Sequence, residues 1–268
     1  MQGIVWVYRK NLLRYNFFIF NSCGVVILRI HLLDVLRGGL VLAMIIYHFF
    51  WDLGYFQFIE QKSIIEGLPL LLAQCIGAGF IIVSGISFRF ASLSDNFQRN
   101  FVKRIGVLLL ICFSITLITV ILDNTSYIFF GIIHLMVACS FIGLLLKRVK
   151  RNYLLLIIFT FSLIPSVSKI KYDLPSYLSW LGINREVPIT NDFYPLFPWV
   201  SFYLFGLWVY QPLRVYFADK NKYSLINNYK FSYIYKGLHF FGRNSLTVYI
   251  LHQPIFFSLF LIFIRLSS

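Results

Sequence analysis

Four ionisable side chains, Asp34, Arg37, His48 and Asp52, interrupt a stretch that otherwise reads as a membrane span. A charged residue at a span centre costs about 2.5–3.5 kcal/mol on insertion scales, so a helix carrying several needs a use for them. At 3.6 residues per turn the four fall within an arc of about 60°, one polar stripe down an apolar helix. Arg37 and His48 are about 16 Å apart along the axis, enough to put two different chemistries at two depths of one cavity. An imidazole changes charge near neutrality and suits proton transfer. A guanidinium presents a planar fork that fits phosphate or carboxylate oxygens. Asp34 stands one turn from Arg37 and Asp52 one turn from His48, each placed to orient its neighbour. The plainer reading is a snorkelling Arg and a His bonded to a nearby carbonyl.

Other candidates lie further along. His134 is early in an apolar segment opened by Phe130 and Gly131, at a depth comparable with His48. Ser245, Tyr249 and His252 share one helical face at i, i+4 and i+7, just after Arg243 and ahead of Pro254. Three histidines at similar depth on separate helices suggest a shared polar cavity, where a lone one suggests a structural hydrogen bond. Gly38 and Gly39 either let another backbone approach or leave room for a bulky ligand. Pro195 and Pro198 read as helix initiation, and Trp199 as an interfacial anchor or a face on which a sugar stacks.

These residues must be positioned by membrane helices. The chain of 268 residues is 59% hydrophobic and only 13% charged, where a soluble domain is about a quarter charged. The fold class expected is all-α: a polytopic transmembrane bundle of about seven spans, near 34–56, 68–88, 105–122, 128–146, 153–169, 195–213 and 239–263. Eighteen of the 24 Lys and Arg fall in one set of alternate connections, five in the other, and Arg37 is intramembrane. The positive-inside rule then puts the N-terminus in the cytoplasm and the long 170–194 connection outside. Residues 1–28 read as a separate interfacial segment and 29–268 as the membrane domain. The net charge of +14 sits in short loops, where topology explains it, so nucleic acid is not an expected partner. Cys23, Cys75, Cys112 and Cys139 lie in apolar stretches without metal or disulfide spacing.

Five segments in order resemble a known family. Arg29, Asp34, Arg37 and Gly38 through Met44, His48, Asp52 and Leu53 look like the opening of bacterial proteins grouped with the catalytic domain of heparan-alpha-glucosaminide N-acetyltransferase. Ser84, Gly85 and Ser87 match further, as do Phe130, Gly131 and His134, then Pro195, Pro198, Trp199 and Gly206, then Gly242, Arg243, Ser245, Tyr249, His252, Gln253 and Pro254. The resemblance covers about residues 29–264. It implies transfer of an acetyl group from cytoplasmic acetyl-CoA, a co-substrate and not a bound cofactor, to a sugar or glycan acceptor on the outer face. Wider membrane acyltransferases share an Arg with a His eleven residues on, the spacing of Arg37 and His48. That match gives His48 the catalytic role, whereas the animal enzyme's catalytic His falls where this chain reads Tyr55 to Glu60 without one, a departure from heparan-type amino-sugar acetylation that leaves the His48-centred chemistry open.

In that reading His48, Asp52, His134 and His252 are the catalytic set, and Arg37, Asp34, Gly38 and Arg243 hold the CoA. Tyr249, Ser245 and Trp199 meet the acceptor. The location expected is the plasma membrane; the sequence does not give the oligomeric state, and the lysosomal relative makes a homodimer possible. Two other readings of the polar stripe are a transporter for a small anion or proton-coupled solute, and a haem protein with imidazole ligands. Against transport stands the lack of an inverted internal repeat.

Overall fold

A computed structural model of the chain describes residues 25–167, 175–184, 187–218 and 233–267. The expected interfacial segment lies, up to residue 24, outside the described residues, as do parts of the long 170–194 connection. The regular structure of the described residues is helical and includes no strand, with an isolated bridge between Phe130 and Phe193. In chain order they form α1 (Val25–Tyr55), the single turn α2 (Lys62–Ile65), α3 (Gly67–Ala91), α4 (Phe97–Leu122), α5 (Ile132–Leu146) and α6 (Arg151–Val167). A 3-10 turn (Ser176–Leu181) follows, then α7 (Leu196–Ala218), α8 (Tyr233–Arg243) and α9 (Ser245–Ser267).

Among the described residues four helices are long and apolar enough to cross a membrane, through His31–Tyr55, Gly67–Ala91, Phe97–Leu122 and Ser245–Ser267. α5 and α6 are apolar but shorter, at 15 and 17 residues. α1 has 31 residues and a length of about 46 Å, so it outreaches a hydrocarbon core of about 30 Å. The large apolar side chains left exposed, such as Leu110, Phe113 and Ile121 on α4 and Leu259 and Ile262 on α9, form continuous faces. A water-soluble monomer does not carry such faces, whereas lipid covers them. The protein is integral to a membrane.

The packing centre is α7. Its Val200, Tyr203, Leu204 and Leu207 are buried against Ile81 and Phe88 of α3 and Leu135 and Cys139 of α5. The close crossing with α3 depends on two glycines facing each other. A Cβ on Gly85 would strike the Tyr203 carbonyl, and one on Gly206 would strike the Ile82 carbonyl. Around this centre α1 packs on α3, α8 and α9. α8 and α1 touch backbone to backbone in the same way: a Cβ on Gly38 would meet the Leu238 carbonyl, and one on Gly242 the Asp34 carbonyl.

The span expected over 239–263 is therefore two helices. α8 is strongly amphipathic and is held across α1 by that glycine contact, and the chain turns at Asn244 before the apolar α9 begins at Ser245. Cys75, Cys112 and Cys139 are free thiols.

Replacing Gly85 or Gly206 by Ala should lower stability by about 1–3 kcal/mol, the cost of forcing a methyl into a filled contact. Gly106 has open space around its Cβ position. Its Ala variant should match or exceed wild type, since Ala is the better helix former. Thermal unfolding of the detergent-solubilised variants measures both.

Candidate active site

Asp34, Arg37 and His48 of the polar stripe line a cavity of about 2700 Å³ bounded mainly by α1, α3, α4, α5 and α9. Its two ends differ in chemistry. At one end Arg37 donates to Asp34 Oδ1 at 2.7 Å and to Ser87 Oγ on α3. Asp34 is buried and also meets His239 Nε2 of α8 at 3.8 Å, and His239 is hydrogen-bonded to His31 Nδ1 at 2.6 Å. Arg104 at the start of α4 donates to Ser84 Oγ at 3.2 Å. Lys103, Arg214 and Arg243 line the same end. Arg37 is thus oriented by Asp34, as the one-turn spacing anticipates.

About 16 Å along α1 the character changes. His48 faces His252 of α9, with ring centroids 4.9 Å apart. His252 Nδ1 lies 2.7 Å from the Tyr249 carbonyl, so that nitrogen carries the proton and donates. His252 Nε2 is left as a lone pair with no hydrogen-bond partner, and His48 Nδ1 is likewise buried without one. Two unpartnered imidazole nitrogens at a cavity wall are exceptions that ask for a ligand. Both histidines line the cavity, as do Ser245, Tyr249 and Trp199.

Asp52 takes another role from the one its spacing suggests. It is fully buried and accepts a hydrogen bond from Gln253 Nε2 at 2.6 Å, with none from His48. It fastens α9 to α1 beside the histidine pair and so positions His252.

His134 is not brought to this cavity. Its Nδ1 accepts from the Gly131 backbone N–H at 3.2 Å and its Nε2 lies 3.2 Å from Thr116 Oγ1. Both ring nitrogens are occupied in closing the first turn of α5 on α4, because an N–H at a helix start has no partner inside its own helix. Gly38 is absorbed by the α1–α8 contact described above, and Gly39 has open space.

The sequence reading missed several lining residues. Arg104 and Lys103 were hidden among topogenic cations at a loop end. Asp192 comes from the long connection, where Asn191 N–H donates to the Ser126 carbonyl at 3.0 Å and Tyr194 N–H to the Phe130 carbonyl at 3.2 Å. These bonds set Asp192 Oδ2 as acceptor for the Ile132 N–H at 3.1 Å, a cap on α5 supplied from another segment. A Cβ on Gly131 would collide with that carboxylate, so only glycine admits it. Burial pushes the Asp192 carboxyl up to about 6, against the lowering effect of the Ile132 N–H. Asp123, at the end of α4, is held down to about 2 by hydrogen bonds from Ser126 and Thr125.

Residues 29–254 match the family described as heparan-alpha-glucosaminide N-acetyltransferase, catalytic. The chain belongs to this family. The match takes in both ends of the cavity, from Asp34 to Gln253, and it makes this membrane protein a member of a transferase family. No curated protein and no solved structure matches the chain.

Two outcomes follow for the site. Gln253→Ala leaves the Asp52 carboxylate buried without its donor and should cost about 3 kcal/mol of stability, read as a lowered Tm. The raised carboxyl of Asp192 favours the protonated form in the fold. Its contribution is therefore full below about pH 4 and is lost as pH rises through about 6. Asp192→Asn keeps an acceptor for Ile132 and removes this term. Its stability relative to wild type should rise by up to about 2 kcal/mol between those pH values, seen in melting curves of the pair.

Proposed function

We propose that the chain is a transmembrane acyltransferase that moves an acetyl group from cytoplasmic acetyl-CoA to a sugar or glycan acceptor on the outer face, with His48 as the base. The observation that carries this reading is the cavity itself, with clustered cations at one end and two unpartnered imidazoles about 16 Å away. CoA carries its phosphates on one end and its thioester at the far end of an extended pantetheine arm. A site for it needs cations and acyl-handling groups set well apart on one wall. Arg37, with Arg243 and Arg104 nearby, suits the phosphates, and Asp34 keeps the Arg37 fork in place.

At the other end His48 takes the proton of the acceptor hydroxyl or amine as its oxygen or nitrogen attacks the thioester carbonyl. The carbon–sulfur bond then breaks, and the CoA thiolate leaves with that proton. Tyr249 is the donor suited to the developing oxyanion, because the Nδ1 proton of His252 is already spent on a carbonyl. His252 presents an acceptor and backs His48. Ser245 and Trp199 line the same wall for the substrates.

The reading extends to seven spans in the plasma membrane with the N-terminus in the cytoplasm, supported by the 18-to-5 division of basic residues between alternate connections. That orientation turns the basic end of the cavity to the cytoplasm, where acetyl-CoA is, and the Trp199 end outward.

Purified protein in nanodiscs, given radiolabelled acetyl-CoA and an envelope-glycan extract, should transfer label to the glycan. His48→Ala should lower kcat by about 10²–10⁴ with an unchanged melting temperature, since no hydrogen bond to its Nδ1 is lost. Arg37→Lys should raise the acetyl-CoA KM about tenfold with a smaller change in kcat. Full transfer by the His48 variant would overturn the mechanism. Absence of acetyl-CoA binding together with solute uptake into proteoliposomes would favour a transporter.

A further inference from the structure

The two ends of the cavity differ in sign as well as in chemistry. Arg37, Lys103, Arg104, Arg214 and Arg243 gather at one end. At the other, Asp123 and Asp192 line the wall, and among the described lining residues no Lys or Arg accompanies them. Asp192 is built into its place by its own loop and by the absence of a side chain at Gly131. Oδ2 is used by the Ile132 N–H, and Oδ1 has no hydrogen-bond partner among the described residues. A second, independent feature of this end is the unpartnered Nε2 of His252, a residue only 8% exposed that lines the same cavity. Tyr194 and Trp199 pack on each other with tilted rings, centroids 4.7 Å apart, and both line the wall.

A carboxylate with a free oxygen accepts hydrogen bonds from hydroxyls, and charge-assisted bonds of this kind are about twice as strong as neutral ones. Aromatic faces beside it cover the apolar face of a sugar ring. A sugar bearing a carboxylate, sulfate or phosphate meets Asp192 and Asp123 with like charge, and no described lining residue at this end is a cation to pair with it, which is specificity by repulsion. We propose that Asp192 binds the acceptor, and that the acceptor's reacting unit is a sugar presenting hydroxyl groups and carrying no anionic group. The inference takes its notion of an acceptor from the transferase reading.

The test separates the two by measuring binding without acetyl-CoA. Two probes share one ring and differ at a single position: p-nitrophenyl β-glucoside has a hydroxymethyl group where p-nitrophenyl β-glucuronide has a carboxylate. Binding to the full chain in nanodiscs is read by calorimetry for wild type and Asp192→Asn. Asn retains an oxygen for the Ile132 N–H, and a melting curve confirms that the fold is kept. Wild type should bind the glucoside at least tenfold more tightly than the glucuronide. Asp192→Asn should weaken the glucoside about tenfold and reduce the discrimination. Equal or tighter binding of the glucuronide, no binding of the glucoside at its solubility limit, or a variant identical to wild type overturns the proposal. Binding as expected, with no acetyl transfer to the glucoside from acetyl-CoA, leaves the subsite in place and removes the transferase reading.

Discussion

A charge in hydrocarbon must be answered, and α1 places four ionisable groups there. Each answer ties α1 to another helix. Arg37 is met by Asp34 within α1 and by Ser87 of α3, Asp34 by His239 of α8, and Asp52 by Gln253 of α9. Removing one partner of a buried ion pair typically costs about 3–5 kcal/mol, so these contacts hold their geometry firmly. The groups that make α1 expensive to insert also set its rotation and depth relative to three neighbours. Two stripe atoms stay buried without a partner, His48 Nδ1 and Asp52 Oδ2, as does His252 Nε2 across from His48.

The glycine contacts do complementary work. Without a hydrophobic drive between helices in lipid, close packing and polar contacts hold a bundle together. Gly85 and Gly206 bring α3 onto α7, and Gly38 and Gly242 bring α8 onto α1. The second contact sets α8 across the basic end of the cavity and delivers His239 and Arg243 to it. Packing at glycine thus assembles part of the candidate site, although Gly38 itself touches no cavity.

The parts of the site legible in the sequence are those governed by helical periodicity. Arg37 and His48 lie on one face because 11 residues are nearly three turns, and the same geometry puts Ser245, Tyr249 and His252 on one wall. Groups fixed by contacts distant in sequence were not legible. Nothing local reveals that the Gly131 N–H occupies His134, or that Asp52 pairs with a residue 201 positions away. Asp192 lies in a long connection whose path is set by backbone bonds to residues 126–130, which no periodic pattern encodes. The break at Asn244 has no strong sequence signal, because the amphipathic α8 runs into the apolar α9 with only Asn244 between them.

In the proposed reading, acetyl-CoA and a glycan approach one pair of imidazoles from opposite ends. A neutral tunnel would admit either molecule from either side. Opposed charge gives each entrance a preference: phosphates are drawn to the end that holds Arg37 and Arg104 and are repelled from the end that holds Asp192 and Asp123. The low dielectric of the surrounding helices lengthens the reach of both effects, since screening by salt is weak away from water. After transfer the same asymmetry acts on the products, holding CoA toward the basic end while the acetylated sugar has no charge to retain it there. Direction in such an enzyme need not come from a moving gate. It follows from where the ten acidic and 24 basic residues of the chain are allowed to sit.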